Sequence, residues 1–289
     1  MSEGRTLDPG PEGIVLVDKP RGITSHDAVA KVRRALGTRK VGHAGTLDPM
    51  ATGLLVIGVG RATRFLRFLS DQPKTYEATM RLGVETSTLD ADGDVVRTAP
   101  VDVTDDELAG AVASLVGESM QRPPAYSAVK VGGTKLYEAA RKGTPIDAAP
   151  RAITVGRYEV QARRGPDVDV VVTCSGGTYV RVLAADVGAA LGCGAHLTAL
   201  RRTAIGIFDV AEARGPDDPG MPLPIERAVA HLPAVKLEGE ESRAARHGRV
   251  LAPAAIEGPY AIVDRAGSLI GVWHDDGARA KALVVLQEA

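Results

Sequence analysis

Hydrophobic and polar residues follow two different periods along the chain, and the period separates predicted strands from predicted helices. Residues 13–18 and 54–59 are short apolar runs followed by turn residues, which is typical of buried strands. From residue 76 to 82, apolar and polar residues alternate strictly, as in a strand with one buried face. Residues 153–162 and 168–173 predict the two strands of a hairpin.

Helices are predicted where a capping signal precedes an apolar stripe of helical period. Thr24 with Asp27, and Thr104 with Glu107, have the three-residue spacing of capping boxes. An apolar stripe follows each pair, and a third stripe covers residues 183–191. The sequence therefore predicts helices that begin after Thr24, after Thr104 and near the start of the third stripe.

The patterns also predict how the chain is divided. Residues 1–12 are polar and predict a flexible N-terminus, followed by a main domain at 13–230. Within that domain, residues 121–152 form a basic excursion that contains two tyrosines and predicts a tight hairpin with a short helix. Residues 212–224 are rich in Pro, Gly and Asp, which indicates a long loop or linker. Four short strand-like runs then predict a small all-β barrel at 231–289.

Composition changes this picture little, because it is ordinary for a soluble globular protein. The formal net charge of −1 means that any nucleic-acid site must come from a local basic patch. Cys174 and Cys193 lack CxxC spacing and are too few for a disulfide framework, and no apolar run reaches membrane-spanning length. We therefore expect a cytoplasmic protein. Asp90, Asp92 and Asp94 lack the glycine and glutamate of a calcium loop, which favours a polar turn.

One interval of the chain is almost free of acidic residues. Asp48 is the only acid between Asp27 and Asp71, where roughly five are expected from the average frequency of the chain. The same interval contains eight cations, namely Lys31, Arg33, Arg34, Arg39, Lys40, Arg61, Arg64 and Arg67. A surface cleared of negative charge suits a polyanion, and phosphate binding does not require a carboxylate. Asp48 is therefore a candidate for chemistry.

The basic residues of this interval are expected on two helices. Three of them lie on the polar face of the helix after Thr24, where a solvated helix face is an equal alternative. Arg61, Arg64 and Arg67 have a spacing of three, which places them on one face of a second predicted helix over residues 61–69. Both faces therefore predict contacts with phosphates.

Asp48 lies in the run GHAGTLDPMATG at residues 42–53, and further distinctive runs follow along the chain. They are GIVLVDKP at 13–20, KTY at 74–76, YSAVK at 126–130, GTYVR at 177–181, GCGAHL at 192–197 and LRR at 200–202. Together these runs resemble the TruB family of tRNA pseudouridine synthases, and the resemblance covers residues 12–210. The C-terminal part resembles more loosely the small PUA-like barrel of that family.

The resemblance implies a fold and a reaction. The fold is an α/β (α+β) pseudouridine-synthase fold, with a central, mostly antiparallel mixed sheet, flanking helices and an insertion at 121–152 that grips RNA. The reaction is the isomerisation of uridine to pseudouridine at position 55 in the TΨC loop of tRNA, after the base is flipped out. The resemblance also implies no cofactor, no metal and tRNA as the partner, bound through its T-arm. We expect a monomer.

The resemblance assigns roles to individual residues. Asp48 is the expected nucleophile, and Tyr76 is the ring that stacks on the flipped base, although a core tyrosine is the commoner fate of such a residue. Tyr179 and Leu200 are expected to line the pocket. His43 is expected to hold the rearranged RNA loop, with a structural role in the Asp48 turn as the alternative. Whether Asp48 attacks C1′ or C6, or acts through a glycal, stays open.

Arg181 is the expected partner of Asp48. An arginine buried at a strand-to-helix corner requires an acid. An opposite charge at about 4 Å contributes roughly 4 kcal/mol at an effective dielectric of about 20, before desolvation, and we expect this to keep Asp48 ionised. Contacts with the RNA backbone are expected from seven basic residues: Arg39, Lys40, Arg61, Arg64, Lys130, Arg141 and Arg202.

Three other functions are compatible with parts of the sequence. A hydrolase could use Asp48 with His43, although no serine or cysteine nucleophile motif accompanies them. A non-catalytic tRNA-binding or tRNA-folding module would account for the basic faces and the tyrosines. A pseudouridine synthase that acts on another RNA would differ mainly in the insertion at 121–152.

Overall fold

The computed structural model describes residues 10–144 and 146–286. Most of the predicted flexible N-terminus, residues 1–9, lies outside the described residues. No helix in the described ranges is long and apolar enough to cross a membrane.

The described residues form seventeen strands and five α-helices. The strands are β1 Gly13–Lys19, β2 Val41–Ala44, β3 Thr52–Val59, β4 Lys74–Leu82, β5 Val84–Thr86, β6 Val95–Thr98, β7 Gly117–Gln121, β8 Lys130–Val131, β9 Thr134–Lys135, β10 Arg151–Arg164, β11 Asp167–Cys174, β12 Ala195–Ile205, β13 Phe208–Asp209, β14 Ala234–Lys236, β15 Pro259–Val263, β16 Leu269–Asp276 and β17 Arg279–Val285. The helices are α1 Ser25–Ala35, α2 Asp105–Ala113, α3 Leu136–Arg141, α4 Val180–Ala190 and α5 Gly239–Arg246.

A nine-stranded sheet organises the main part of the molecule. Its order is β1-β3-β12-β4-β11-β10-β7, with β2 beside β3 and β13 beside β12. Within this sheet β3 and β12 are parallel, and the other pairings of its described strands are antiparallel. The expected mixed, mostly antiparallel sheet is therefore confirmed.

Local sequence signals account for most of these elements. Both predicted capping boxes are present, at the starts of α1 and α2. Along β4, buried and more exposed residues alternate as the sequence predicts. The tight hairpin and short helix predicted near residue 130 are the β8–β9 hairpin and α3.

The helix predicted over residues 61–69 is instead a pair of short 3-10 helices, Gly60–Arg64 and Leu66–Leu69. Three of the five buried side chains of this segment, Ala62, Phe65 and Phe68, have a spacing of three residues. A 3-10 helix has three residues per turn, so it brings such a stripe onto one face.

The main hydrophobic core supports the loop that contains Asp48. Helices α2 and α4 pack on one face of the nine-stranded sheet, and their buried residues include Leu108 and Leu183. Leu47, Met50 and Ala51, which flank Asp48, are buried in this same core. The loop between β2 and β3 is therefore anchored by the burial of its own apolar residues.

A closed all-β barrel at the C-terminus is not confirmed. Strands β14 to β17 form a separate sheet in sequence order, and α5 packs on it through Ala245. The sequence did not predict this helix, and no pair closes β14 onto β17 in the described part of the chain. The other face of the small sheet shares one hydrophobic core with Phe65 and Phe68. The division that the sequence predicts at residues 230 and 231 thus separates two parts that pack together.

Candidate active site

Asp48 lines a cavity of about 460 Å³ beside the central sheet. Tyr76, Tyr179, Arg181 and Leu200 line the same cavity. These residues come from β4, from α4 with the residue that precedes it, and from β12, so the sheet brings together positions that are far apart in sequence. The fold therefore gathers five of the expected site residues around one space.

Backbone contacts from a helix hold the Asp48 loop in place. The buried Ser25 hydroxyl donates to the carbonyl of Leu47 at 3.1 Å and accepts the Leu47 N–H at 2.9 Å. The N–H of Gly22 donates to the carbonyl of Pro49 at 2.8 Å. Residues on both sides of Asp48 are thus tied to the start of α1. This leaves the carboxylate with little freedom to leave the cavity.

Arg202 fixes the ends of the same loop, in contrast to its expected role in RNA contact. Only 1% of it is exposed. Its Nε donates to the carbonyl of Leu54 at 2.8 Å, and its Nη2 donates to the carbonyl of Gly45 at 2.9 Å. Gly53 lies against the Arg202 backbone with φ of 99°, and a Cβ at that position would collide with the Arg202 carbonyl. Arg202 is therefore committed to the protein, because burial turns its guanidinium towards these carbonyls.

Arg181 lies in the first turn of α4 and bridges two carboxylates. Its side chain is 4% exposed, and its Nη2 is 3.0 Å from Oδ2 of Asp48, so the expected ion pair is present. Its Nη1 is 3.2 Å from Oδ2 of Asp90. The guanidinium also donates to the carbonyls of Thr88, at 2.8 Å, and Tyr126, at 3.1 Å. Arg181 is thus held from four directions with one edge towards Asp48.

Asp90 is a site residue that the sequence analysis missed. The expected polar turn is present, but the Asp90 side chain points inward and is almost fully buried. Its Oδ1 accepts hydrogen bonds from the Thr88 hydroxyl and from the backbone N–H of Asp92. Three acids at a spacing of two are typical of an exposed turn. With Asp92 and Asp94 nearby, the sequence therefore gave no reason to expect a buried Asp90. Only the long-range contact with Arg181 identifies it.

The pKa of the Asp48 carboxyl lies above its ordinary value, because burial disfavours the charged form. The positive charges of Arg181 and Lys19 act in the opposite direction, and the negative charge of Asp90 adds to the rise. From the sequence, Arg181 is expected to keep Asp48 ionised, and its positive charge does lower this pKa. It offsets the effect of burial only in part.

Two aromatic rings contribute to the wall of the cavity. Tyr76 is buried on β4, and burial raises the pKa of its hydroxyl, which is therefore a neutral phenol. Tyr179 caps α4, and the side chain of Gln121 holds its backbone. The Tyr179 N–H donates to Oε1 of Gln121 at 2.7 Å, and Nε2 of Gln121 donates to the Tyr179 carbonyl at 3.2 Å. Gln121 ends β7, a strand that the sequence did not predict.

His43 is outside the set of residues that line the cavity. It lies on β2, and its ring packs edge-on against His26 with 5.6 Å between the ring centroids. Burial lowers the pKa of the His43 imidazole, and the nearby His26 adds to this effect. An Asp48–His43 hydrolytic pair therefore has no support from the described contacts.

Five of the seven expected RNA-contacting residues are exposed, namely Arg39, Lys40, Arg64, Lys130 and Arg141. Arg39 and Lys40 lie in the turn before β2, and Lys130 and Arg141 lie in the insertion. The insertion also lines the cavity, through residues 127–129. Exposed cations and the cavity are therefore joined by the same segment of chain.

Arg61 and Arg64 have partners within the protein. Arg61 pairs with Glu12, and Arg64 donates to the carbonyl of Val285 at 3.0 Å. The Arg64 contact ties the first 3-10 helix to the C-terminal sheet. An RNA contact from either arginine would have to share or replace these interactions.

No group of three or more His, Cys, Asp or Glu side chains suited to a metal ion occurs among residues 10–144 and 146–286.

Comparison with protein families gives matches over residues 33–214 and 232–287. The N-terminal domain of TruB family pseudouridylate synthases matches residues 33–180. The C-terminal domain of tRNA pseudouridylate synthase B matches residues 181–214, and the C-terminal domain of tRNA pseudouridine synthase II matches residues 232–287.

Curated relatives are similar over nearly their full length. A tRNA pseudouridine synthase B from Mycobacterium sp. (strain KMS) is 50% identical over 96% of this chain and 97% of its own. The protein of that name from Rhodococcus jostii (strain RHA1) is 48% identical over 96% of this chain and 94% of its own.

Solved structures agree with these matches. A chain of a Cbf5–Nop10–Gar1 complex superposes with a TM-score of 0.72 at 28% identity, over 95% of this chain and 84% of that chain. A chain of an H/ACA RNP bound to a substrate RNA gives a TM-score of 0.72 at 26% identity, over 96% and 85%. The family matches, the identity and the fold agree: this chain belongs to the TruB family of pseudouridylate synthases.

Proposed function

We propose that the protein isomerises uridine 55 in the TΨC loop of tRNA to pseudouridine, with Asp48 as the nucleophile. The observation that carries this proposal is the carboxylate of Asp48 beside the buried guanidinium of Arg181, at 3.0 Å, in a cavity walled by two tyrosines. Curated relatives named tRNA pseudouridine synthase B support tRNA as the substrate.

The walls of the cavity suit a flipped base. Extruding a nucleotide from a stacked loop costs a few kcal/mol, and stacking on an aromatic ring returns roughly 1–3 kcal/mol. Tyr76 supplies that ring from β4, while Tyr179 and Leu200 enclose the base from α4 and β12. Tyr76 is held by the sheet, so little side-chain entropy is lost when the base arrives.

The chemistry begins from the ionised form of Asp48. A carboxylate oxygen attacks C1′ of the ribose or C6 of the base, and the bond between N1 and C1′ breaks. The base then turns, C5 bonds to C1′, and the bond to Asp48 breaks, so the carboxylate is regenerated. The hydrogen on C5 leaves as a proton, and N1 takes up a proton. Arg181 keeps the carboxylate oriented through this sequence, because its own position is fixed by two backbone carbonyls and a second acid.

Asp90 acts in this proposal through Arg181. Its carboxylate holds one nitrogen of the guanidinium while the other faces Asp48. An arginine held by one nitrogen to each of two acids and by two backbone carbonyls has little freedom to move, which preserves the geometry for attack. The cost is a higher pKa for Asp48, since the second negative charge lies close to the first. Asp90 is therefore a positioning residue in this proposal.

The proposed partner surface consists of the exposed cations near the cavity. Arg39 and Lys40 precede β2, the strand that leads into the Asp48 loop, and Lys130 and Arg141 belong to the insertion that lines the cavity. Such a surface suits the phosphates of a T-arm. Because residues of one chain complete the cavity, we propose that the protein acts as a monomer. A tRNA substrate would place that action in the cytoplasm.

The release of tritium from C5 of uridine tests the proposed substrate. A T-arm stem-loop labelled at C5 of uridine 55 is incubated with the protein, beside the same stem-loop labelled only at a uridine of the stem. We expect tritium release from the first RNA and none from the second. Binding of the stem-loop without release would indicate a binding module, and product mapping on total RNA that finds pseudouridine only outside tRNA would indicate a synthase for another RNA.

A further inference from the structure

Lys74 is a buried cation in the wall of the Asp48 cavity. It begins β4, two residues before Tyr76, and is 5% exposed. Its Nζ donates to the carbonyl of Ser70 and, at 2.8 Å, to the carbonyl of Gln72. No carboxylate of the described residues lies within 4 Å of this Nζ, and Asp71 acts on it only from a longer distance. The ammonium therefore has two neutral acceptors and one further N–H.

A buried charge without a counter-ion is unfavourable for the folded protein. Burial lowers the pKa of Lys74 to about 8, and the positive charge of Arg202 acts in the same direction. Lys19 is similarly buried, donates to two carbonyls and also has its pKa lowered by burial to about 8. Lys19 does not line the cavity, whereas Lys74 does. The two lysines thus differ in whether an anion that enters the cavity can reach them.

The residues around Lys74 leave room for an anion. Gly176 packs against Ser70, and a Cβ there would collide with the Ser70 carbonyl and lie 3.1 Å from Lys74 Nζ. A glycine at this position therefore places no side-chain atom beside the ammonium. Gly177 and the exposed Arg151 line the same cavity, and no ion pair engages Arg151 among the described residues.

The charged residues that line the cavity differ in their partners within the protein. Asp48 is the one carboxylate among the lining residues, and it is paired with Arg181. Arg202 is bonded to backbone carbonyls. Lys74 and Arg151, which line the same cavity, have no carboxylate partner among the described residues.

We propose that Lys74 and Arg151 bind a phosphate group that flanks the flipped nucleotide and thereby hold its ribose against Asp48. This inference rests on the proposed function and deepens it, since it names the part of the substrate that this wall recognises. A phosphodiester would supply the missing anion and accept the further N–H of Lys74. Anchoring the backbone on one side of the nucleoside would restrict the ribose while the base stacks on Tyr76.

Neutralising single phosphates in the RNA tests this proposal. T-arm stem-loops with tritium at C5 of uridine 55 are prepared with one methylphosphonate linkage, either 5′ or 3′ of that nucleotide or, as a control, in the stem. For the wild type, we expect one of the two flanking substitutions to lower kcat/KM about tenfold or more. Lys74→Met should lose a similar factor on unmodified RNA and almost nothing more on the RNA with that linkage neutralised.

Matched variants keep the test independent of folding. Lys19→Met removes a buried lysine that also donates to two carbonyls but does not line the cavity. Its loss in kcat/KM should therefore multiply with the loss caused by each methylphosphonate. Arg151→Ala changes an exposed residue and should show a smaller loss that is coupled to the same linkage as Lys74. Thermal unfolding checks that each variant is folded. If Lys74→Met is unfolded, the coupling to the methylphosphonates is measured with Arg151→Ala and with Lys74→Arg, which keeps the charge.

The possible results separate this inference from the proposed function. The phosphate site would be overturned if the losses in kcat/KM from Lys74→Met and Arg151→Ala multiply with the losses from both flanking methylphosphonates. In that case the wild type would still release tritium. Absence of tritium release by the wild type on unmodified RNA would instead overturn the proposed function itself.

Discussion

Two buried arginines meet the Asp48 loop, and their partners differ. Arg181 on α4 contacts the carboxylates of Asp48 and Asp90, whereas Arg202 on β12 contacts the carbonyls of Gly45 and Leu54. The first therefore holds the carboxylate of Asp48, the proposed nucleophile, and lowers its pKa. The second sets the path of the backbone that carries it. A cation in an active site can thus serve the electrostatics or the shape of the site.

The pKa of Asp48 gives a direct way to separate these roles. Arg181 lowers this pKa and Asp90 raises it, whereas Arg202 is not among its causes. Because the ionised acid is the proposed nucleophile, activity should fall as the pH decreases through this pKa. Burial raises that pKa above the ordinary value of 3.8, so the acidic limb of the pH–rate profile should lie above the range of an exposed aspartate.

The largest effect is expected from Arg181→Met, which leaves Asp48 and Asp90 close together without their counter-ion. Loss of a preorganised charge of this kind lowers kcat by about 100- to 1,000-fold. The pKa of Asp48 should rise further, so the acidic limb should move to higher pH. Single-turnover tritium release measured across pH tests this. Arg181→Lys keeps the positive charge but lacks the forked guanidinium. It should restore the position of the acidic limb better than it restores kcat.

A different result is expected for Arg202→Met. Unsatisfied buried carbonyls at both ends of the loop should lower the free energy of unfolding by about 2–4 kcal/mol, measured by urea denaturation. The rate should fall about tenfold as the loop loosens, but the acidic limb should stay in place. Arg201→Met, which removes the half-buried neighbour that pairs with Asp18, is the matched control. A shift of the limb in Arg202→Met would contradict the separation of roles.

Asp90→Asn should have a smaller effect on rate and an opposite effect on pH dependence. Removing the second negative charge lowers the pKa of Asp48, so the acidic limb should move to lower pH. The rate on the plateau should fall by about tenfold, because Arg181 loses one of its supports. The exposed Asp92, in the same turn, provides the control variant Asp92→Asn. An unchanged limb in Asp90→Asn would show that Asp90 does not act on Asp48.

Gln121→Leu is expected to give the smallest change. It removes both hydrogen bonds that hold the backbone of Tyr179, at a cost of about 1–2 kcal/mol in unfolding free energy. The Tyr179 ring should then be placed less well, so KM for the stem-loop should rise by about three- to tenfold with little change in kcat. Gln121→Glu keeps one of the two bonds and should lie between the variant and the wild type.

The sequence predicted the parts of the site that local signals define. The Asp48 loop, the alternating strand with Tyr76 and the corner with Arg181 lie in compact motifs, and the structure gathers them around one cavity. Asp90 and Gln121 were not predicted, because their roles depend on contacts with residues more than 50 positions away in the chain. Asp90 contacts Arg181, and Gln121 contacts Tyr179. Hydrophobic periodicity and residue spacing along the chain do not predict such long-range contacts.

Arg202 shows a second limit of sequence reasoning. It follows Arg201 in the LRR run at 200–202, and the sequence led us to expect a contact with the RNA backbone from it. Adjacent residues of a strand point to opposite faces, so only one of the two can face solvent. Arg201 is half-buried and pairs with Asp18, while Arg202 enters the core. The face that each residue takes is set by pairing with β3 and β4, which the local sequence leaves open.

The central claim is that the carboxylate of Asp48 performs the chemistry, and Asp48→Asn tests it most directly. The measurement is single-turnover tritium release from a T-arm stem-loop labelled at C5 of uridine 55, with the Kd for the same RNA determined in parallel. We predict that Asp48→Asn binds the RNA with a Kd close to that of the wild type and releases no tritium. Tritium release at the wild-type rate by a folded Asp48→Asn variant would contradict the account.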